Sequence, residues 1–218
     1  ITKRRGMKIY IKIEHVNKTI KKVPILNDIN LELEGGNVYG LKGKNGSGKT
    51  MLMRAICGLI IPDNGIIDIN GQILGKDISF PPSIGVLIEN PSFLSNYTGY
   101  KNLKVLASIK EIADDTMIRK ALTDVGLNPD DKRTYHKYSL GMKQKLGIAA
   151  AVMEEPDIII LDEPINALDE SSVANVRNIL QEQKERGAII IIACHDREEL
   201  ETLSDEIIEI SEGMIIKR

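Results

Sequence analysis

No apolar run in these 218 residues is long enough to cross a bilayer. Ile158 to Leu161 and Ala188 to Cys194 both stop at a charged residue or a histidine, whereas a spanning helix needs about 20 apolar residues. No secretory leader pattern is visible either. Cysteine is scarce: Cys57 and Cys194 lie far apart and match no metal-ligand spacing, so buried, reduced thiols in a cytosolic protein are expected. Neither sign of charge is in excess, with 29 basic and 31 acidic residues giving a formal net charge of -2. Nothing in that balance calls for nucleic acid or an anionic membrane surface as partner. The run Lys3-Arg4-Arg5 reads as a solvated tail. Ile1 is no translation start, and Met7 is the expected one. Tryptophan is absent and aromatics make up 4% of residues, so isoleucine has to fill the core. No internal repeat or low-complexity tract is present, which excludes a tandem array, and no regulatory domain is expected.

What is present is a sequence of clear periods. Ile9, Ile11 and Ile13 alternate with polar residues, as do Ile29, Leu31 and Leu33 before Gly35-Gly36; both read as half-buried strands. Val38 to Leu41 is a short apolar strand entering a glycine-rich loop, and Thr50 to Ile56 reads as a helix ending near Gly58. Gly65 to Ile69 is extended, with a turn at Gly71. From Tyr100 to Met153 the period becomes helical: Leu103, Leu106 and Ile109, then Ile118, Leu122 and Val125. Beyond Pro156, the strands Ile158 to Leu161 and Ala188 to Ala193 flank the polar helix Ser171 to Arg186. Buried apolar strands alternating with a helix predict a parallel α/β core. The expected architecture is that core, an antiparallel β lobe before it, and a helical insert between its halves.

Gly43-Lys44-Asn45-Gly46-Ser47-Gly48-Lys49-Thr50 satisfies G-x-x-x-x-G-K-[ST] between a strand and a helix, the setting a phosphate loop requires. Glycines let backbone N–H groups turn inward as a nest for phosphate oxygens, and the helix N-terminus adds partial positive charge behind it. Lys49 is expected to reach the β- and γ-phosphates and the Thr50 hydroxyl to ligate Mg²⁺. The strand Ile158 to Leu161 runs into Asp162-Glu163-Pro164. Asp162 is expected to hold the metal through water, and Glu163 to orient and deprotonate the attacking water. His195 follows a strand at the edge of the sheet where ligands bind, and a γ-phosphate contact is expected of it.

Tyr138-Ser139-Leu140-Gly141-Met142 resembles the Leu-Ser-Gly-Gly-Gln signature of ATP-binding cassette proteins, and Asn166-Ala167-Leu168-Asp169 resembles their D-loop. The order of phosphate loop, signature, paired acids, D-loop and histidine matches that family over essentially the whole chain. The resemblance implies an ABC-type P-loop NTPase fold in one domain, with a core and β lobe at about 1–88 and 154–218 and a helical subdomain at about 89–153. It also implies two cassettes, expected to be identical, facing head to tail around two Mg-ATP. Ser139, Gly141 and Asp169 would then lie at the nucleotide interface, and His195 would act as the switch histidine.

Three departures stand out. Leu140 and Met142 replace a Gly and the Gln of the usual signature. Ile20 stands where the family usually stacks an aromatic ring on adenine. Glu89 replaces the glutamine of the Q-loop and is expected to be a metal ligand. Glu89-Asn90-Pro91 together with Tyr-Ser-Leu-Gly-Met looks like the exporters of bacitracin and lantibiotic self-protection. The expected protein is thus a cytoplasmic ATPase, peripheral at the inner face of the cell membrane through a permease on a separate chain, without nucleic acid as partner. The alternative is a cassette ATPase acting on DNA or ribosomes, although no tandem cassette, coiled-coil arm or basic linker is present. A guanine-reading motif is also missing, since Asn17-Lys18-Thr19-Ile20 lacks its Asp and precedes the loop.

Overall fold

The computed structural model describes residues 9–89 and 91–218. Lys3-Arg4-Arg5, Met7 and Asn90 lie outside the described residues. Strands β1 (Tyr10–Ile20) and β2 (Val23–Glu34) form a long antiparallel hairpin. Its turn residues Lys21 and Lys22 both take positive φ, as the twist of a two-residue hairpin requires. β1 also pairs with β4 (Asn64–Ile69), which pairs with β5 (Gln72–Ile73), giving the order β2-β1-β4-β5. Ile11 and Ile13 are buried, and so is Val16, out of phase with them. The phase change falls where the β1–β2 and β1–β4 registers slip and His15 takes φ 52°. A bulge there lets one face of the strand stay apolar across the slip.

The second sheet has six strands in the order β10-β9-β3-β8-β7-β6. They are β3 (Asn37–Lys42), β6 (Ile84–Leu87), β7 (Ile158–Asp162), β8 (Ile189–Ala193), β9 (Glu206–Ser211) and β10 (Met214–Lys217). All neighbours run parallel except β9 and β10. Every residue of β8 is fully buried, the condition of a parallel strand covered on both faces. The two faces feed different cores. Ile158 and Ile160 join α1 (Lys49–Ile56) and the four-stranded sheet, while Ile159 and Leu161 join the helices on the other side. Those helices are α2 (Gly99–Lys110), α3 (Asp115–Asp124), α4 (Leu140–Val152), α5 (Glu170–Glu185) and α6 (Arg197–Leu203). The parallel core, the antiparallel lobe and the helical insert all match the expected architecture.

The stripe expected on α2 is only partly buried. Leu103 is inside, but Leu106 and Ile109 are exposed, and the buried face is completed by Gly99, Asn102 and Ala107. Two steps of three residues fall about 120° behind the helical period, so Ile109 leaves the face that Leu103 occupies. The elements β6, α6, β9 and β10 have no counterpart in the periods read from the sequence. In particular, the strand ending at Ala193 is not the last one.

Helix α4 crosses β6 closely because Gly85 has no side chain. A methyl group there would sit 1.7 Å from the Ala151 carbonyl oxygen, and one at Gly147 would meet Leu87 at 2.8 Å. Gly85→Ala is therefore expected to cost at least about 1–3 kcal/mol of stability, the usual penalty of overpacking. Chemical denaturation monitored by circular dichroism measures it.

Candidate nucleotide site

The loop between β3 and α1 is shaped by two glycines. A Cβ at Gly43 would meet the Ile210 carbonyl at 2.2 Å, and one at Gly48, which takes φ 110°, would meet the Ile25 carbonyl at 2.9 Å. Gly48 is also the N-cap of α1 and supplies no side-chain acceptor. The first N–H groups of that helix are thus left for an anion. Lys49 is only 7% exposed and curls back, its Nζ donating to the carbonyls of Gly43 (2.7 Å) and Lys44 (3.2 Å). The Ser47 hydroxyl is buried without a hydrogen-bond partner, an orphan atom that an incoming oxygen would satisfy. From behind, the Gly213 N–H donates to Ser47 O, and the Asn27 N–H donates to Gly213 O. The β9–β10 turn thereby braces the loop.

The acids of β7 arrive from the other side. Thr50 Oγ1 donates to Asp162 Oδ2 at 2.8 Å. Glu163 has φ 53°, and its N–H donates to Ala193 O, prolonging the ladder to β8. Its carboxylate accepts from the His195 N–H at 3.2 Å and lies 3.4 Å from His195 Nε2. Burial pushes the Glu163 carboxyl above its ordinary range, opposed by the His195 N–H and helped by the neighbouring Asp162 charge. A cavity of about 300 Å³ spans the loop from Asn45 to Met51 and reaches Asp162, Glu163 and His195. A larger cavity, about 670 Å³, shares Glu163 and His195 but contains no residue of the phosphate loop. Cys194 lines that second space with a thiol pushed up to about 11 by burial.

The structure thus brings the phosphate loop, Thr50, Asp162, Glu163 and His195 together. Five other expected residues stand outside the smaller cavity. Ile20 sits at the hairpin tip opposite Val23, and Ile25 lines the cavity instead; the turn at Lys21-Lys22 carries Ile20 away. Glu89, at φ 61°, forms an ion pair with Arg54 of α1 and does not line the cavity. Ser139 is the N-cap of α4, accepting the Met142 N–H at 3.2 Å, and Gly141 lies against the Ala167 carbonyl. Asp169 caps α5, accepting the Ser172 N–H and the hydroxyls of Ser171 and Ser172. Sequence reasoning missed Ile25, Arg54, Gln144 and Gly213; only the Glu212-Gly213 turn had a local signal.

By fold and site together, the class is that of the phosphate-loop nucleoside triphosphatases. A family model described as ABC transporter matches residues 26–166, and the chain belongs to that family. It is similar to the uncharacterized ABC transporter ATP-binding protein YybJ of Bacillus subtilis, with 48% identity covering 94% of each chain. The bacitracin transport ATP-binding protein BcrA of Enterococcus faecalis is 38% identical over 97% of this chain and 69% of its own. The lantibiotic transport ATP-binding protein SrtF of Streptococcus pyogenes is also 38% identical, over 94% and 89%. The fold matches the dimeric post-hydrolysis structure of the ATP-binding cassette MJ0796 bound to ADP and Pi, with a TM-score of 0.85 and 21% identity over 95% and 97% of the two chains. The chain is accordingly the ATP-binding subunit of an ABC transporter and an ATPase.

The three donors at Asp169 hold its carboxyl at about 2, below the ordinary 3.8. A depressed carboxyl stabilises the fold above its unfolded value, and that contribution disappears as pH falls through the folded one. Asp169→Ala is expected to lower the melting temperature at neutral pH. The gap to wild type should shrink as pH drops from about 3.8 to about 2, which differential scanning fluorimetry across pH measures.

Proposed function

We propose that this subunit hydrolyses Mg-ATP as a head-to-tail homodimer and drives a permease carried on a separate chain, exporting an antimicrobial peptide of the bacitracin or lantibiotic type. The observation that carries the hydrolytic reading is the Glu163 carboxylate, half-buried at the cavity beyond the Thr50–Asp162 pair and bonded to His195. The cargo reading is supported by the transport functions named for the two relatives at 38% identity.

The residues present fit the nucleotide and its metal. The orphan Ser47 hydroxyl, the uncapped start of α1 and the two glycines leave donors and room for phosphate oxygens. Lys49 would exchange its two loop carbonyls for the β- and γ-phosphates, and Thr50, with Asp162 acting through water, would hold Mg²⁺. When bound, the ion neutralises charge on the phosphate oxygens and orients them. Glu163 takes a proton from water as the water oxygen attacks the γ-phosphorus and the bond to ADP breaks, leaving ADP and inorganic phosphate. Its burial raises its proton affinity, as a base at this position requires. His195 holds the carboxylate and faces the γ-phosphate. Ser139 and Gly141, at the start of α4, face the nucleotide of the second copy, with Asp169 shaping the D-loop beside them. Glu89, now paired with the Arg54 guanidinium, would serve as a metal-sensing ligand, since an anionic oxygen suits a hard cation.

In this reading the helical subdomain spans 89–153 and the core is built from the segments on either side of it. Val105, Ile109 and Ile112 are exposed on and just after α2, with Leu94 and Tyr97 exposed shortly before it. Apolar surface of this kind supports docking of a partner, here the permease, which would keep the subunit at the inner face of the membrane, in contact with cytoplasmic ATP. Among the described residues no helix is long and apolar enough to cross a membrane.

Glu163→Gln is expected to retain nucleotide binding while kcat falls by about 10²–10⁴-fold, the usual worth of a general base. An ATP-held dimer should accumulate, which light scattering at saturating Mg-ATP detects; a variant hydrolysing at the wild-type rate refutes the assignment. Apart from His195, which is held at Glu163, the cavity is lined by the aliphatic Ile25 and by no Phe, Tyr or Trp ring, and stacking on an aromatic contributes about 1–3 kcal/mol per base. GTP is therefore expected to compete with ATP within about tenfold in a fluorescent-nucleotide displacement assay.

A further inference from the structure

The signature helix α4 does more than present its N-terminus. Gln144 lies one turn into it, only 9% exposed, and its Nε2 donates to the Glu163 carbonyl oxygen at 2.7 Å. That carbonyl belongs to a residue at φ 53°, a left-handed conformation that non-glycine residues hold at some cost and only when the surroundings impose it. Three bonds to its backbone hold it here: the Glu163 N–H donates to Ala193 O, and the Glu163 carbonyl accepts from the Gln144 side chain and, at 3.2 Å, from the Asn166 N–H. Between them they set the direction of the Cα–Cβ bond, and with it the direction of the carboxylate. The same helix touches the segment again at Ala167, itself at φ 61°, whose carbonyl lies 2.8 Å from where a Cβ on Gly141 would stand. Helix α4 therefore grips both ends of the stretch from Glu163 to Ala167.

We propose that Gln144 is a positioning residue for Glu163, holding the base in its productive backbone conformation and tying that conformation to the place of the signature helix. The inference rests on Glu163 being the base. A shift of α4 by about 1 Å would carry the Gln144 bond beyond hydrogen-bonding range, and misplacement on that scale costs up to about 10²-fold in rate. Engagement of the signature by the second copy's nucleotide thus registers at this copy's own base.

The test compares Gln144→Met, of similar length but without a donor, with Gln144→His, whose ring Nε2–H can donate from nearly the same place. Gln144→Met is expected to lower kcat at least about tenfold with KM and the affinity for trinitrophenyl-ATP unchanged, the signature of an interaction that serves only the chemical step. Amide exchange from Glu163 to Ala167 in the nucleotide-free chain should rise in the same variant, and Gln144→His should restore both. Wild-type kcat and exchange in Gln144→Met, with Glu163→Gln inactive, overturn the role of Gln144 alone. Parallel losses of affinity and kcat, a Gln144→His variant as impaired as Gln144→Met, or a Gln144→Met chain that does not fold would mark a packing residue and overturn it as well. A Glu163→Gln variant with wild-type hydrolysis removes instead the reading on which the proposal rests.

Discussion

The Thr50 hydroxyl reaches the Asp162 carboxylate at 2.8 Å across 112 residues of sequence, and the rest of the site is arranged around that contact. It joins the first turn of α1, whose free N–H groups face the phosphate cavity, to the end of β7, which carries the acids. The join is possible because β8 lies between β3 and β7 with all three parallel, so both strands end on the same edge of the sheet. Parallel strands bring ligand groups to their carboxyl ends. Here that edge receives a lysine, a threonine, two carboxylates and a histidine, and the glycines admit the backbone close enough to leave a cavity among them.

Much of this was legible because it depends on short-range pattern. The alternation of Ile11 and Ile13, the apolar runs at Ile158 and Ile189, and the glycine-lysine string of the loop each specify local geometry through period or turn chemistry. The parts that were not legible depend on what a segment meets after folding. Ile20 and Ile25 are equally apolar and close in sequence, and only the turn at Lys21-Lys22 decides which one faces the cavity. Leu106 and Ile109 fit a spacing of three, yet Gly99, Asn102 and Ala107 lie on the face that the neighbouring helices cover. The strands β9 and β10 alternate weakly, since β9 has acids at both Glu206 and Glu209 and β10 is a largely exposed edge.

Polar partners were harder still to foresee. Glu89 is held by Arg54, 35 residues earlier, and no periodicity links the two. Asp169 spends its carboxylate on three donors within its own helix turn, so a residue expected at the nucleotide interface also carries a purely local duty. Gln144 sits among apolar residues that pack α4 against the sheet, and the bond it makes follows only from the carbonyl it meets. In each case the residue type limits what bonds can form, and the tertiary fold selects among them.

The brace behind the phosphate loop has a consequence for how the molecule is made. Ser47 O is held by the N–H of Gly213, and β3, which leads into the loop, lies between β8 and β9. These partners are synthesised more than 140 residues after β3, while domains emerge from the ribosome N-terminus first. The hairpin of β1 and β2 can close early, since its contacts are local. The loop that grips phosphate cannot reach its final shape until β8, β9 and the turn at Gly213 have emerged, so capture of nucleotide waits on segments made long after the loop itself.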